Sequence, residues 1–251
     1  MIRVGVVGAA GRMGQQACRA IAADAELQLA AAVDPSHAGS LVEGIELAKD
    51  MEALAAAGVE VAVEFTRGAA ALQNIAWCIG HKMHVVSGTT GFEPDPAWAD
   101  QRDVGVFIAP NFAIGAVLMQ RFAAEAIRYL PDAEIIELHH QDKPDAPSGT
   151  AMATARRMAA ARGQDRAERG EERVSGARGA DVDGIHVHSV RLPGLVAHQE
   201  VILGGQGQTL RIRHDSSDWT SFMPGVLMAV KAVASRPGLT VGLDALLEGL
   251  D

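Results

Sequence analysis

A chain of 251 residues, 48% hydrophobic and 21% charged, has room for one large or two small domains and reads as a soluble globular protein. Aromatics make up only 4%, so the core must be assembled from Ala, Val, Leu, Ile and Met. The formal net charge of −9 argues against nucleic acid and anionic membrane as partners, because both select a basic face.

Ile2 to Val7 is an apolar, β-rich run, as expected of a strand covered on both faces. Gly8-Ala9-Ala10-Gly11-Arg12-Met13-Gly14 follows at once, and a helix is predicted over 15–21. Strand, glycine turn and helix together form a dinucleotide-binding opening. Glycines let the backbone approach a pyrophosphate, and the helix N-terminus favours its charge. Gly8, Ala9, Ala10, Gly11, Arg12 and Met13 are the cofactor-binding candidates here, at the spacing Gly-x-x-Gly-x-x-Gly. Leu27 to Val33 is the second strand, ending at Asp34, 20 residues past Gly14. A carboxylate at that place bonds the adenosine ribose and repels a 2′-phosphate. NADH is therefore the preferred cofactor, with NADPH kept open by Arg12.

Residues 59–65 form a third predicted strand and Thr66-Arg67-Gly68 its exit turn. Residues 69–79 are helical, with Leu72, Ile75, Ala76 and Ile79 on one face. A fourth strand at 84–86 opens into Ser87-Gly88-Thr89-Thr90-Gly91, at the carboxyl end of a strand, where doubly wound sheets bind ligands. The fifth strand, 104–109, closes in Ala109-Pro110-Asn111-Phe112. Gly88, Thr89, Thr90 and the four residues 109–112 join the cofactor-binding candidates. These strand–helix repeats predict a doubly wound, Rossmann-like parallel sheet.

Residues 114–130 are an amphipathic helix, with Val117, Leu118, Phe122 and Ile127 near one face. Beyond it the pattern becomes α+β, with strands at 133–140, 185–193, 196–204 and 207–214 in a mostly antiparallel or mixed sheet. The charged, glycine-rich segment 162–183, including Glu168 and Arg169, reads as a solvated surface loop. A helix over 219–234 is expected to pack back on the first domain, and 239–250 ends the chain as a short strand and helix. The division expected is 1–112 with 219–251 as the dinucleotide-binding domain, and 113–218 as the second domain.

One stretch concentrates the chemistry: Glu137-Leu138-His139-His140-Gln141-Asp142-Lys143-Pro144-Asp145-Ala146-Pro147-Ser148-Gly149-Thr150-Ala151. A strand runs into His139, Pro144 and Pro147 hold an extended loop, and Ser148 caps a helix. The first N–H groups of that helix make an anion site, and Gly149 has no Cβ to hold a ligand away. Two imidazoles, an ammonium and a helix dipole suit a small substrate that carries carboxylates and needs a proton.

This stretch resembles the signature of the dihydrodipicolinate reductase family: a His-His pair, a Lys, then Asp-Ala-Pro-Ser-Gly-Thr. The Phe-Thr pair at 65–66, the Gly-Thr-Thr-Gly at 88–91, the Asn-Phe at 111–112 and the stretches 213–217 and 222–226 resemble the family as well. Ala10, Pro35 and Trp219 depart from it, standing where relatives often carry glycine, a basic residue and arginine. The resemblance implies reduction of a cyclic dicarboxylated imine with NAD(P)H in lysine and diaminopimelate biosynthesis. It implies His139 and Lys143 as catalytic, and His140, Gly149 and Thr150 as substrate-binding. A homotetramer built through the second domain's sheet is implied too.

The expected partner is thus a small dicarboxylate, with no bound metal. Cys18 and Cys78 form no disulfide framework, no leader is read ahead of the first strand, and no apolar run is long enough for a bilayer, so a cytoplasmic protein is expected. Three other readings compete. The first is another Rossmann dehydrogenase, of the aspartate or homoserine type. The second is a metal-binding protein using His186, His188, His198 and His214. The third is a non-catalytic NAD(H) sensor.

Overall fold

The computed structural model describes residues 1–163 and 171–247. In chain order the elements are β1 (Ile2–Val7), α1 (Arg12–Ala23), β2 (Leu27–Val33), β3 (Leu41–Val42), β4 (Ile45–Ala48), α2 (Glu52–Ala56), β5 (Val61–Glu64), α3 (Gly68–Gly80), β6 (His84–Ser87) and β7 (Gly105–Ile108). Then come α4 (Ile114–Ala126), β8 (Asp132–His139), α5 (Gly149–Arg162), β9 (Ala180–Val182), β10 (Ile185–Arg191), β11 (Ala197–Gly205) and β12 (Gln208–Ser216). The chain ends in α6 (Met223–Ala232), β13 (Gly238–Val241) and α7 (Asp244–Leu247). Glu168, Arg169 and the last residues of the predicted C-terminal helix lie outside the described residues. Met1–Ala113 with the residues from Phe222 onward form one compact unit, and Ile114–Ser221 a second.

The first unit holds an eight-stranded sheet in the order β13-β7-β6-β5-β1-β2-β4-β3. It is parallel throughout except for the β3–β4 hairpin, which matches the doubly wound class. All four residues of β5 and of β7 are buried, as strands in a sheet covered on both faces should be, even though β5 ends in the carboxylate Glu64. Helix α1 buries Gly14, Ala17, Cys18 and Ile21, the i, i+3, i+4, i+7 stripe of a helix on a sheet. Cys18 and Cys78 are free and buried, and burial pushes each thiol up to about 12, so neither offers a thiolate near neutral pH. The β3–β4 hairpin and α2 fall in a stretch that the sequence pattern left unassigned. The hairpin turns on Glu43 and Gly44, both at positive φ, the backbone that a two-residue β-turn of matching twist requires.

The second unit is a five-stranded sheet, β12-β11-β8-β10-β9, parallel only between β8 and β10. One face packs on α4 and α5 through Met119, Ala123, Ile127, Ile135, Ala151, Ala155, Met158, Val187, Val201 and Leu203. Three expectations need correction. Phe122 is 54% exposed, because α4 turns its small side, Ala116 and Ala123, inward with Met119. The surface loop 162–183 contains β9, which pairs with β10 through an Asp183-Gly184 turn at positive φ; the surrounding charge hid a short-range hairpin signal. The helix expected over 219–234 is broken into a 3-10 turn at Trp219–Phe222, helix α6 and a second 3-10 turn. Pro224 lacks an N–H and fits only the first turn of an α-helix, so α6 starts beside it. Helix α6 packs against α1 within the first unit.

Candidate active site

In the second unit, strand alternation sets the site. Ile135, Glu137 and His139 share the helix-covered face of β8, and Glu137 at 0% exposed is fully enclosed. A buried carboxylate needs donors, and Glu137 has them on both oxygens. Arg191, at the end of β10 and paired with His139 in the parallel register, reaches both oxygens at 2.8 and 2.9 Å. His139 donates from Nδ1 at 2.5 Å and the Ser148 N–H at 3.2 Å. Burial alone would raise this carboxyl; the hydrogen bonds from His139 and Arg191 outweigh it and hold the group at about 2. Glu137 therefore accepts only, the His139 proton sits on Nδ1, and Nε2 is the atom left for a ligand.

The same guanidinium ties down the loop. Arg191 Nη2 also donates to the Asp145 carbonyl at 2.6 Å, while Lys143 Nζ reaches the Asp145 carboxylate at 2.6 Å. Ser148 caps α5, its hydroxyl accepting from the Ala151 N–H. A Cβ placed on Gly149 would meet nothing within 4 Å, so the space over that helix end is open to a ligand. Thr150 lies one residue further into α5, its carbonyl accepting from the Thr154 hydroxyl at 2.8 Å. The His140 ring stands edge-on to Trp219, with centroids 6.3 Å apart. The structure thus brings His139, Lys143, Gly149 and Thr150 into one segment bound together by Glu137 and Arg191. Neither of those two binding residues was assigned a role from sequence. Alternation along β8 marks Glu137 as inward-facing; nothing local singles out Arg191, which lies 54 positions away.

The strand histidines do not converge. His188 pairs with Glu134 and His198 with Asp215, whereas His214 lies on the opposite face, against Gly115. Among the described residues no group of three or more His, Cys, Asp or Glu is placed to hold a metal.

In the first unit the glycine loop follows β1. Gly8 sits at φ +78°, and Gly8 and Ala9 both donate to the Val33 carbonyl. A Cβ on Gly14 would come within 2.1 Å of the Gly8 oxygen, so loop and helix can close only around glycine. Arg12 and Met13 open α1. Asp34 accepts from the Ala10 N–H at 3.1 Å through one oxygen, and from Ser36 N–H and His37 Nδ1 through the other. A carboxylate therefore stands directly against the loop. Gly88, Thr89 and Thr90 follow β6, and Ala109, Pro110, Asn111 and Phe112 follow β7. Thr90 and Pro110 are exposed, whereas Phe112 is buried, edge-on to Phe65, and supports the loops from beneath. Close-packed glycines at the start of a helix and a carboxylate at the end of the second strand fit a pyridine nucleotide.

Family models decide the relationship: that for the N-terminus of dihydrodipicolinate reductase matches residues 2–112, and that for its C-terminus matches 115–247. The chain belongs to the dihydrodipicolinate reductase family. It is 49% identical over 256 residues to the 4-hydroxy-tetrahydrodipicolinate reductase of Corynebacterium aurimucosum, covering 98% of each chain. It is 48% identical over 257 residues to that of Cutibacterium acnes, covering 98% of this chain and 99% of the relative. The dipicolinate-bound dihydrodipicolinate reductase from Paenisporosarcina sp. TG-14 superimposes with a TM-score of 0.87 at 38% identity, over 98% of this chain and 99% of that one. GenD2 from gentamicin A biosynthesis, in complex with NAD, shares the fold at a TM-score of 0.62 and 18% identity. No helix among the described residues of this reductase-family chain is long and apolar enough to cross a membrane.

Proposed function

We propose that the chain reduces 4-hydroxy-tetrahydrodipicolinate to tetrahydrodipicolinate in lysine and diaminopimelate biosynthesis, with NADH preferred over NADPH. The observation that carries this reading is the Glu137–His139 pair beside Lys143 and the open helix end at Gly149. The dipicolinate of the Paenisporosarcina relative supports a small dicarboxylate as the substrate class. The 4-hydroxyl leaves as water, and a bound pyridine nucleotide would then supply a hydride to one carbon of the unsaturated imine while a proton goes to its neighbour. The N–H groups of Gly149 and Thr150, with His140, hold a carboxylate. Lys143 neutralises charge and donates a proton or hydrogen bond, and His139 Nε2 gives or takes a proton at the substrate. The sequence-level competitors explain less: a sensor has no use for a histidine fixed by a buried carboxylate.

The deciding assay is NADH oxidation with the enzymatically generated hydroxy precursor. Oxidation is expected with that precursor and not with aspartate or homoserine; the reverse pattern would overturn the reading. For the nucleotide, Asp34 beside the glycine loop repels a 2′-phosphate. Asp34→Asn is expected to shift the ratio of NADPH to NADH affinity about tenfold toward NADPH, a modest fraction of the Coulomb repulsion between near charges. Wild-type protein that binds NADPH far more tightly than NADH rejects the preference. The same reading makes the protein a cytoplasmic homotetramer joined through the second unit's sheet, whose helix-free face carries the half-buried Ile136, Leu138 and Ile202. Sedimentation at micromolar protein checks it.

A further inference from the structure

Glu64 ends β5 and is 1% exposed. Among the described residues its carboxylate is satisfied by neutral donors. Oε1 accepts from the Thr66 N–H at 2.8 Å and from the Thr66 hydroxyl, and Oε2 accepts from the Ser87 hydroxyl at 2.8 Å. Because a carboxylate only accepts, both hydroxyl protons must point at it. The direction of the remaining bonds follows. The Ser87 oxygen is left to accept from the Thr89 N–H at 3.3 Å, and the Thr66 oxygen from Asn74 Nδ2 at 3.4 Å. The Thr66 N–H is shared with the Thr89 hydroxyl oxygen at 2.9 Å. Thr89, only 7% exposed, is thus used as an acceptor, and among the described residues nothing takes its hydroxyl proton. The Gly88 N–H, donating to the Glu64 carbonyl at 3.1 Å, pins the same loop.

We propose that Glu64 is a positioning residue for nucleotide binding: by holding the Thr66 N–H and the Ser87 hydroxyl, the two groups that bond Thr89, it places the Thr89 hydroxyl to donate to the bound pyridine nucleotide. This rests on the reading that the first unit holds NAD(P)H. A glutamine at 64 has the same shape but brings an N–H₂ group. That group would face Ser87 or Thr66, reverse a hydroxyl and release the Thr89 loop from its single hydrogen-bond pattern.

The test is NADH titration of the full chain by nucleotide fluorescence, comparing wild type with Glu64→Gln, Thr89→Val, Thr89→Ser and the Glu64→Gln/Thr89→Val double variant. Each of Glu64→Gln and Thr89→Val is expected to weaken NADH about tenfold, with Thr89→Ser within threefold of wild type. The double variant should be no weaker than either single, because one residue acts through the other. A double variant weakened about a hundredfold, the product of independent losses, overturns the proposal; so does Thr89→Val that binds like wild type. If Glu64→Gln does not fold, Thr89→Val against Thr89→Ser decides, equal affinities being the overturning result. Wild-type protein that binds neither NADH nor NADPH overturns the nucleotide reading itself.

Discussion

Replacing His139 by Gln, or Lys143 by Ala, is expected to lower turnover about a hundredfold or more, a typical share for a positioned acid or base. The two losses differ in character. His139→Gln keeps a side chain able to bond Glu137 but removes the ring nitrogen on the ligand side, so kcat should fall with little change in KM. Lys143→Ala also removes a cation from a site for a dianion, so KM for the cyclic substrate should rise as kcat falls. Neither change should unfold the protein. Asp145, left without Lys143, is about half exposed in its side chain, and pairs of that kind contribute ~1 kcal/mol or less. Steady-state kinetics with the generated precursor measure both. Near-wild-type turnover in the two variants removes His139 and Lys143 from the chemistry.

The second large effect lies in stability. Glu137→Gln leaves the Arg191 guanidinium, 17% exposed in its side chain, without its counter-charge, and breaking a buried pair in this way costs about 3 kcal/mol. The pH dependence identifies the cause. The folded-state carboxyl stands at about 2, below its ordinary value of 4.5, so the stability it contributes is fully present above pH 4.5. That contribution is lost as pH falls through the folded value. Urea unfolding should therefore show the widest gap between wild type and Glu137→Gln near neutrality, narrowing as pH drops from 4.5 toward 2. A gap of constant size across that range would mean that the variant acts through packing and not through charge. Turnover should fall as well, because the amide can donate to Nδ1 and so allows the proton to sit on the wrong nitrogen of His139.

Much of the architecture was legible because its causes are local. Continuous apolar runs marked the parallel strands, and glycine spacing marked the first turn, since Gly8 and Gly14 must approach to within van der Waals distance. Ser148 announced α5 by its capping chemistry. What escaped was short or distant. β3, β4 and β9 are two to four residues long, too brief for a period to emerge, although Glu43-Gly44 and Asp183-Gly184 were turn signals in plain sight. Phe122 was misplaced because α4 is apolar on most sides, and only packing decides which side is inward. In the site, His139, Lys143 and Gly149 could be read from one continuous segment. Glu137 lies in the same segment, but a carboxylate there has no legible task until its partner Arg191 is known, and Arg191 comes from another strand through a parallel crossover that no spacing rule reveals. The Glu64 network is hidden for the same reason, since Ser87 and Thr89 meet it only across β6.

The empty volume above Gly149 has a practical meaning. An alanine there would begin α5 with a better helix former and touch no other part of the protein, so the chain should melt slightly higher, by up to ~1 kcal/mol of added stability. Any accompanying fall in substrate affinity would come from the ligand alone. Position 149 is therefore a place where robustness and recognition pull in opposite directions, and a single methyl group can measure the trade between them.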